Sequence, residues 1–510
     1  MHRASLEPNL AAGMLRRAEL NPNRTALIFE GQEILFGEFA DRVRRQATVL
    51  QAGGVCMGDR VGFLGFNQPT FLETLFAANV LGAIFVPLNF RLTAEELTFI
   101  INDAGVHTLI CDDALRPVVE PAIPNLCCKH FFSCESEAAN WRHLVTERDA
   151  SQAINSVASM DQHDVSLIMY TSGTTGLPKG AMLTHGNIMW NNFNAMFAFS
   201  STRDDVVLTA APLFHIGGLN VMTLNSFHVG STLVLMRNFD PGQVLANFEQ
   251  YGVTHMFGAP AMFLFASQQP EFATTDLSAI KTLICGAAPV PESLIELWGA
   301  RGVPFCQGYG LTETAPFSSF LTPEHAVSKL GSAGQAPLYS DVRIVDEDNC
   351  ALPAGERGEI CLRGPNIMKG YWNRPEATAE AIDEMGWFHS GDIGYQDDEG
   401  FLFICDRLKD MVISGGENVY PAEVESVLYK HESIAEVAVI GLADEKWGEA
   451  VTAVAALNDG HELTLESLRE FAENHLARYK IPLRLHIVEA LPRNPAGKVL
   501  KFVLKEQLSG

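Results

Sequence analysis

The stretch Ile168 to Asn187, IMYTSGTTGLPKGAMLTHGN, concentrates hydroxyls and glycines as few loops do. Thr171, Ser172, Gly173, Thr174, Thr175 and Gly176 run into Leu177, Pro178, Lys179 and Gly180. Glycines let a loop turn its backbone N–H groups toward one point, and such a nest binds anions. The hydroxyls add donors without bulk, and Lys179 adds a charge. A chain of phosphates suits this composition, although the Walker A spacing GxxxxGK[ST] is absent. The plain alternative is a solvated turn between a strand and a helix. A second candidate is QGYGLTET, Gln307 to Thr314. There Tyr309 offers a flat face for an adenine, Thr312 a hydroxyl, and Glu313 the hard oxygen that Mg²⁺ takes beside a triphosphate.

Elements must hold these residues in place. An apolar run, Val165 to Tyr170, reads as the strand that delivers the loop. GDRVGFLG, AIFVPL and VHTLICD read as further strands, PTFLETLFAANVLG as a helix, and TAEELTFIINDAG as a capped helix. The alternation resumes with VVLTAAP, STLVLM, VTHMFGAP and IKTLICGAAP. This is a βαβ rhythm, which implies parallel sheets covered by helices. From about Gly331 the pattern changes, and residues 341–364 read as a small antiparallel hairpin unit. Near the C-terminus, PAEVESVLYKH opens on Pro421 and TLESLREFAENHL on Thr464, both as helices. IAEVAVIGL, VTAVAAL and LRLHIVEAL read as strands.

The expected class is therefore α/β. Residues 1–407 form a large N-terminal domain of parallel sheets flanked by helices plus a small β-barrel-like unit. Residues 408–510 form a small α+β domain, which the family resemblance set out below implies is mobile.

A chain of 510 residues exceeds one ordinary core. Its net charge of −25 argues against general nucleic-acid binding and against adsorption to anionic lipid. It leaves room for an anionic ligand held by local N–H groups and a few cations. Ten cysteines form no CxxC pair and no zinc-type spacing, as expected in a reducing cytosol. The N-terminus lacks the apolar core of a signal peptide. The longest apolar run, Leu75 to Leu88, is broken at Asn79 and Gly82 and falls short of the ~20 residues of a membrane span.

YTSGTTGLPKG resembles the phosphate-loop signature of the adenylate-forming superfamily, which contains acyl-CoA synthetases, nonribosomal peptide adenylation domains and beetle luciferases. APLFHIGGL, GAAP, QGYGLTET, GERGEICLRGP, WFHSGDIG, DRLKDMVISGGENVYPAEVE and PRNPAGKVLK follow in the family's order, so the resemblance covers nearly the whole chain. Overall similarity is greatest to bacterial fatty-acyl-CoA and feruloyl-CoA synthetases.

The resemblance implies an AMP-forming carboxylate–CoA ligase that uses ATP, Mg²⁺ and coenzyme A. It implies that the 171–176 loop with Lys179 grips the triphosphate, with Thr174 among the catalytic residues. Gly286, Ala287, Ala288 and Pro289 would meet the adenine together with Tyr309, Gly310 and Thr312. Glu313 would hold the metal, and Asp392 and Arg407 the ribose hydroxyls. Lys498 would stand between two anions, the carboxylate and the α-phosphate, and stabilise the charge developing at phosphorus. Lys409 would be the hinge of a domain rotation between half-reactions, after which Gly415 leaves room for the incoming thiol chain.

Arg91, Trp447 and Tyr479 fall where aryl-CoA ligases of the family touch the CoA nucleotide. Two basic positions used there are Ile481 and Leu483 in this chain. His215 matches a gate that lines the acyl site. Leu213 to Asn220 contains no carboxylate, which argues against an α-amino acid. IGGLNVM and THMFGAPAMFLF supply Gly, Met and Phe for an apolar acyl group. A medium- or long-chain fatty acid is expected, with a hydroxycinnamate or other aryl acid as the alternative. An adenylating enzyme that does not use CoA comes third, and an inactive nucleotide-binding regulator is disfavoured because every position for chemistry is filled. The expected setting is cytoplasmic, with small-molecule partners and a homodimeric assembly.

Overall fold

The computed structural model describes residues 9–171, 178–288, 290–414, 417–444, 446–473, 475–493 and 499–508, without the side chains of Lys409 and Asn418. Contacts divide the chain into two units, Met1–Val342 with Leu362–Phe388, and Arg343–Cys361 with His389–Gly510.

Two eight-stranded sheets build the first unit. In one, Thr25–Phe29, Thr232–Leu235, Val206–Thr209, His255–Gly258, Thr282–Cys285 and Phe305–Gly310 lie side by side and parallel. Gln32–Leu35 and Phe317–Phe320 close its two edges antiparallel. In the other, Val165–Thr171, Ile84–Leu88, Arg60–Leu64, Val106–Cys111, His130–Ser133 and Arg142–His143 run parallel. Val106–Cys111 and Thr282–Cys285 are buried along their whole length, as strands covered on both faces must be. The covering helices carry the expected signals. Thr93 closes a capping box on Ala94–Ala104, which ends at Gly105 with φ +64°, a left-handed conformation that glycine adopts without strain. Pro69 occupies the first turn of Pro69–Val80. One core packs Trp298 edge-on against Phe263 and Phe272 beneath the first sheet.

The plain alternative of a turn between a strand and a helix does not hold, because both stems of the hydroxyl-rich loop are strands. Lys179–Thr184 forms a second strand, antiparallel to Val165–Thr171, with Thr171 opposite Lys179. Thr184 then caps the helix His185–Phe199 through a box with Asn187. KGAMLT is too short and too well paired to begin the helix, and the two strands thereby fix both stems of the loop.

A four-stranded sheet ordered Asp341–Val345, Gly358–Arg363, Phe388–Gln396 and Leu402–Arg407 belongs mostly to the second unit. The other sheet of that unit pairs the long strands Ile434–Asp444 and Gly448–Leu457. Arg484–Ile487 adds to it in parallel, and Val412–Ser414 with Glu417–Val419 forms its opposite flank. Helices Pro421–Leu428 and Leu465–Glu473 follow the sequence reading closely. LRLHIVEAL yields only four strand residues, Arg484–Ile487. No helix among the described residues is long and apolar enough to cross a membrane. All ten cysteines are free thiols.

Candidate active site

Parallel sheets place ligands beyond the carboxyl ends of their strands. In the first sheet those ends are Gly258, Cys285 and Gly310. Gly286 follows directly, and a Cβ there would lie 2.7 Å from the Gly308 carbonyl oxygen. Ala287 turns through φ +68°. Gly310 is equally constrained, because a Cβ would fall 1.7 Å from the Pro316 carbonyl oxygen. The GAAP turn and the Tyr309–Gly310 segment thus leave neighbouring strands with their backbones pressed together. Pro289 lies outside the described residues.

Thr312 and Glu313 sit in the short helical turn Thr312–Thr314. Buried asparagines hold its exit. Asn220 Nδ2 donates to the Ala315 carbonyl at 2.6 Å, and Asn366 Nδ2 to those of Thr314 at 2.7 Å and Phe317 at 2.8 Å. The Phe317 N–H donates to Asn191 Oδ1 at 3.0 Å. Each bond satisfies a backbone group that would otherwise be stranded without water. Sequence reading missed these three asparagines, and nothing in their spacing signals them.

Glu313 is the centre of the arrangement. The Tyr371 hydroxyl donates to its Oε1 at 2.9 Å, and the Thr171 hydroxyl reaches the same oxygen at 3.5 Å. Burial, reinforced by the Glu313 carboxylate, pushes the Tyr371 phenol well above its usual range, so it stays a donor. Gly370–Tyr371 joins the second sheet as a short strand against Ala181 and Met182. The Lys179 ammonium lies 5.3 Å over the Tyr371 ring, and no carboxylate among the described residues pairs with it. Among the described residues, a carboxylate that accepts from two neutral hydroxyls and an ammonium over the same tyrosine ring are the groups that a metal–polyphosphate pair would need. Thr171 and Lys179 stand at the loop's two stems. Ser172, Gly173, Thr174, Thr175 and Gly176 lie outside the described residues. Tyr371 was missed by sequence reading, although MKGYWN lies close after the motif GERGEICLRGP, which ends at Pro365.

His215 precedes the helix Ile216–Asn220 and packs against Phe214 with ring centroids 4.3 Å apart and the planes tilted by 52°. Burial, then the charge of Arg91, pushes its imidazolium pKa down to about 4, so it is neutral at physiological pH. Its Nε2 is enclosed without a hydrogen-bond partner among the described residues. The Arg91 guanidinium lies over Phe90 at 5.5 Å and Phe214 at 5.9 Å. The Phe257 ring closes on Gly217, where a Cβ would meet it at 2.6 Å.

In the second unit, Asp392 and Arg407 are opposite each other across two strands and form an ion pair of 2.6 Å. Asp392 is buried, and Gly391 before it turns through φ +68°. Trp447 is exposed in the turn between the long strands, with the Lys446 ammonium 4.9 Å over its ring. Tyr479 is also exposed, in the short turn Arg478–Lys480. Ile481 belongs to the apolar core, so its lack of charge is structural. Lys409 falls in the turn Leu408–Asp410. Gly415 and Lys498 lie outside the described residues.

Residues 14–372 match the AMP-binding enzyme family, and residues 423–498 match the AMP-binding enzyme C-terminal domain. The chain belongs to the AMP-binding enzyme family. It is an AMP-forming acid–thiol ligase that uses ATP, Mg²⁺ and coenzyme A. It is 43% identical over 494 residues to a feruloyl-CoA synthase from an Amycolatopsis species, covering 96% of this chain and 97% of the relative. It is 39% identical over 511 residues to a long-chain-fatty-acid–CoA ligase from Mycobacterium tuberculosis, covering 98% and 99%. Among solved structures, o-succinylbenzoate coenzyme A synthetase from Bacillus subtilis, in complex with ATP and magnesium ion, is similar with a TM-score of 0.88. It is 32% identical, and 98% of this chain and 99% of that one are covered.

For this ligase the Tyr371–Glu313 hydrogen bond gives a direct test. Tyr371→Phe removes the donor and leaves the ring, so Glu313 loses its orienting partner. The expected loss in kcat/KM for ATP is about tenfold, the ~1.5 kcal/mol of a charge-assisted hydrogen bond. An unchanged value across a Mg²⁺ titration would remove Tyr371 from the metal's support.

Proposed function

We propose that the ligase activates an apolar carboxylic acid bearing an aromatic ring, of the hydroxycinnamate kind. The observation that carries this reading is the rings met at the start of the helix Ile216–Asn220, with Phe214 packed on His215 and the Phe257 ring closed on Gly217. Flat ring faces suit a planar aromatic acid. The relative named feruloyl-CoA synthase supports the same reading. A medium- or long-chain fatty acid is the second reading. It is favoured by the apolar helix Pro260–Ser267, whose Leu264 and Phe265 are exposed, and by the relative named as a long-chain-fatty-acid ligase. A panel of ferulate, benzoate, octanoate and palmitate with ATP and CoA, read by thioester and AMP, separates the two. Ferulate is expected to give the highest kcat/KM, and a clear preference for palmitate would overturn the aromatic reading. Phe257→Ala should shift the octanoate-to-ferulate ratio of kcat/KM upward by about tenfold, the size of a few methylenes of pocket.

In the same reading, Thr171, Lys179 and the intervening loop hold the triphosphate, with Thr174 assisting catalysis. Gly286 to Pro289 and Tyr309 to Thr312 hold the adenine, and Asp392 with Arg407 the ribose. A Mg²⁺ ion held by Glu313 would offset the charge of the phosphates. Lys498 draws the acid carboxylate onto the α-phosphate. His215, neutral, lines the acyl site. The small domain from about residue 408 then reorients about Lys409, and Gly415 admits the thiol. Arg91, Trp447 and Tyr479 meet the CoA nucleotide, a reading supported by two exposed aromatic rings, each beside a lysine. The cytoplasm is the compartment, a reading that the ten free thiols support.

A further inference from the structure

Glu359 and Cys361 stand two residues apart on the strand Gly358–Arg363, so both side chains leave the same face. His389 lies on the adjacent strand, Phe388–Gln396. One ligand atom from each lies within 4.8 Å of the others. His389 Nδ1 is 2.8 Å from Glu359 Oε2 and 3.4 Å from Cys361 Sγ. Nothing in acid activation uses these three groups.

Both contacts fall on the same ring nitrogen. A nucleophilic triad needs one nitrogen facing the thiol and the other facing the carboxylate, so that arrangement is absent. Convergence of a thiol, an imidazole nitrogen and a carboxylate oxygen on one point is instead the donor set of a divalent metal.

We propose that Glu359, Cys361 and His389 form a binding site for a borderline-soft divalent cation, Zn²⁺ above others. A tetrahedral ion with bonds of about 2.3 Å to sulfur and about 2.05 Å to nitrogen sets those donors about 3.6 Å apart. The observed 3.4 Å already matches that spacing. The 2.8 Å contact is a hydrogen bond and must open by about half an ångström toward the ~3.3 Å of a nitrogen–oxygen edge. Glu359 and His389 retain exposed side-chain area while Cys361 is fully buried. The ion therefore enters from the carboxylate and imidazole side, and a water fills the fourth position there.

On binding, the Cys361 thiol releases its proton to solvent. The imidazole presents the Nδ1 lone pair and carries its hydrogen on Nε2. Glu359 binds through Oε2 while its Oε1 continues to accept the Gly391 N–H at 3.0 Å. That outer bond orients the ligand, and two sheet-bonded strands hold the set. Mg²⁺ prefers oxygen donors alone and belongs at Glu313, so the two cations do not compete.

The test uses the full-length protein with Co²⁺ as a spectroscopic stand-in. Addition of one equivalent should give a thiolate-to-cobalt charge-transfer band in the near ultraviolet and tetrahedral d–d bands in the visible. Equimolar Zn²⁺ should erase both. Cys361→Ser should abolish the charge-transfer band, whereas Cys127→Ser, at an exposed cysteine, should leave it intact. Glu359→Gln preserves shape and should weaken Zn²⁺ by at least the roughly 10-fold that loss of a mere outer partner costs. Zn²⁺ should raise the melting temperature of the wild type more than that of Glu359→Gln. A wild type without the charge-transfer band, a band that survives Cys361→Ser, or equal Zn²⁺ affinity in Glu359→Gln would each overturn the site.

Discussion

Lys498→Ala is expected to lower acid adenylation by about 10²–10³-fold, the size of one lost oxyanion-type donor. Adenylation brings a carboxylate onto a phosphorus already ringed by anionic oxygens. An ammonium held between them offsets that repulsion most in the transition state, so the loss should appear in kcat rather than in KM. The flanks of the segment that carries Lys498 are fixed. Arg493 bridges Val499, the Leu500 N–H donates to the Pro492 carbonyl at 2.8 Å, and the Lys501 ammonium pairs with Glu425 at 2.8 Å. Alanine at 498 disturbs none of these contacts, so the fold should be retained. The variant, given a synthetic acyl-adenylate and CoA, should still form thioester. Normal acid-dependent pyrophosphate exchange by Lys498→Ala would remove this residue from the chemistry.

Lys409→Pro is expected to leave adenylation within a few-fold of wild type and to abolish transfer to CoA. Position 409 lies in the turn Leu408–Asp410, between the strands Leu402–Arg407 and Val412–Ser414. Proline fixes φ near about −65°, which such a turn already adopts, so one state is tolerated. A hinge absorbs a large change of φ or ψ at a few residues, and a locked φ forbids it. Single-turnover measurement of adenylate and of thioester separates the steps. Equal loss in both would contradict the two-state account.

How far the sequence could be read depended on the kind of signal. Regular elements were legible: Thr93 and Pro69 mark helix starts, and the short, largely apolar runs at 106–111 and 282–285 mark buried parallel strands. The strand after the loop went unread because KGAMLT carries no strand signal strong enough to reveal its partner, Val165–Thr171. Pairing is a long-range fact, and register does not show in local composition. The structure brings motif residues together, Glu313 with Thr171 and Asp392 with Arg407. The site was illegible where support comes from elsewhere in the chain. Tyr371 reaches Glu313 from 58 residues away, and Asn220 reaches Ala315 from 95. The metal candidate was hidden for the same reason. Glu359 and Cys361 meet His389 only because two strands lie adjacent in a sheet, and no ligand spacing exists along the chain.

The most direct measurement of the central claim is acid-dependent exchange of labelled pyrophosphate into ATP by the purified protein, with Mg²⁺ present and CoA absent. Exchange with an apolar acid such as ferulate or octanoate, silent without acid and depressed in Lys498→Ala, is the predicted result. Thioester formation with no such exchange from any acid would mean that no acyl-adenylate is made, and would contradict the account.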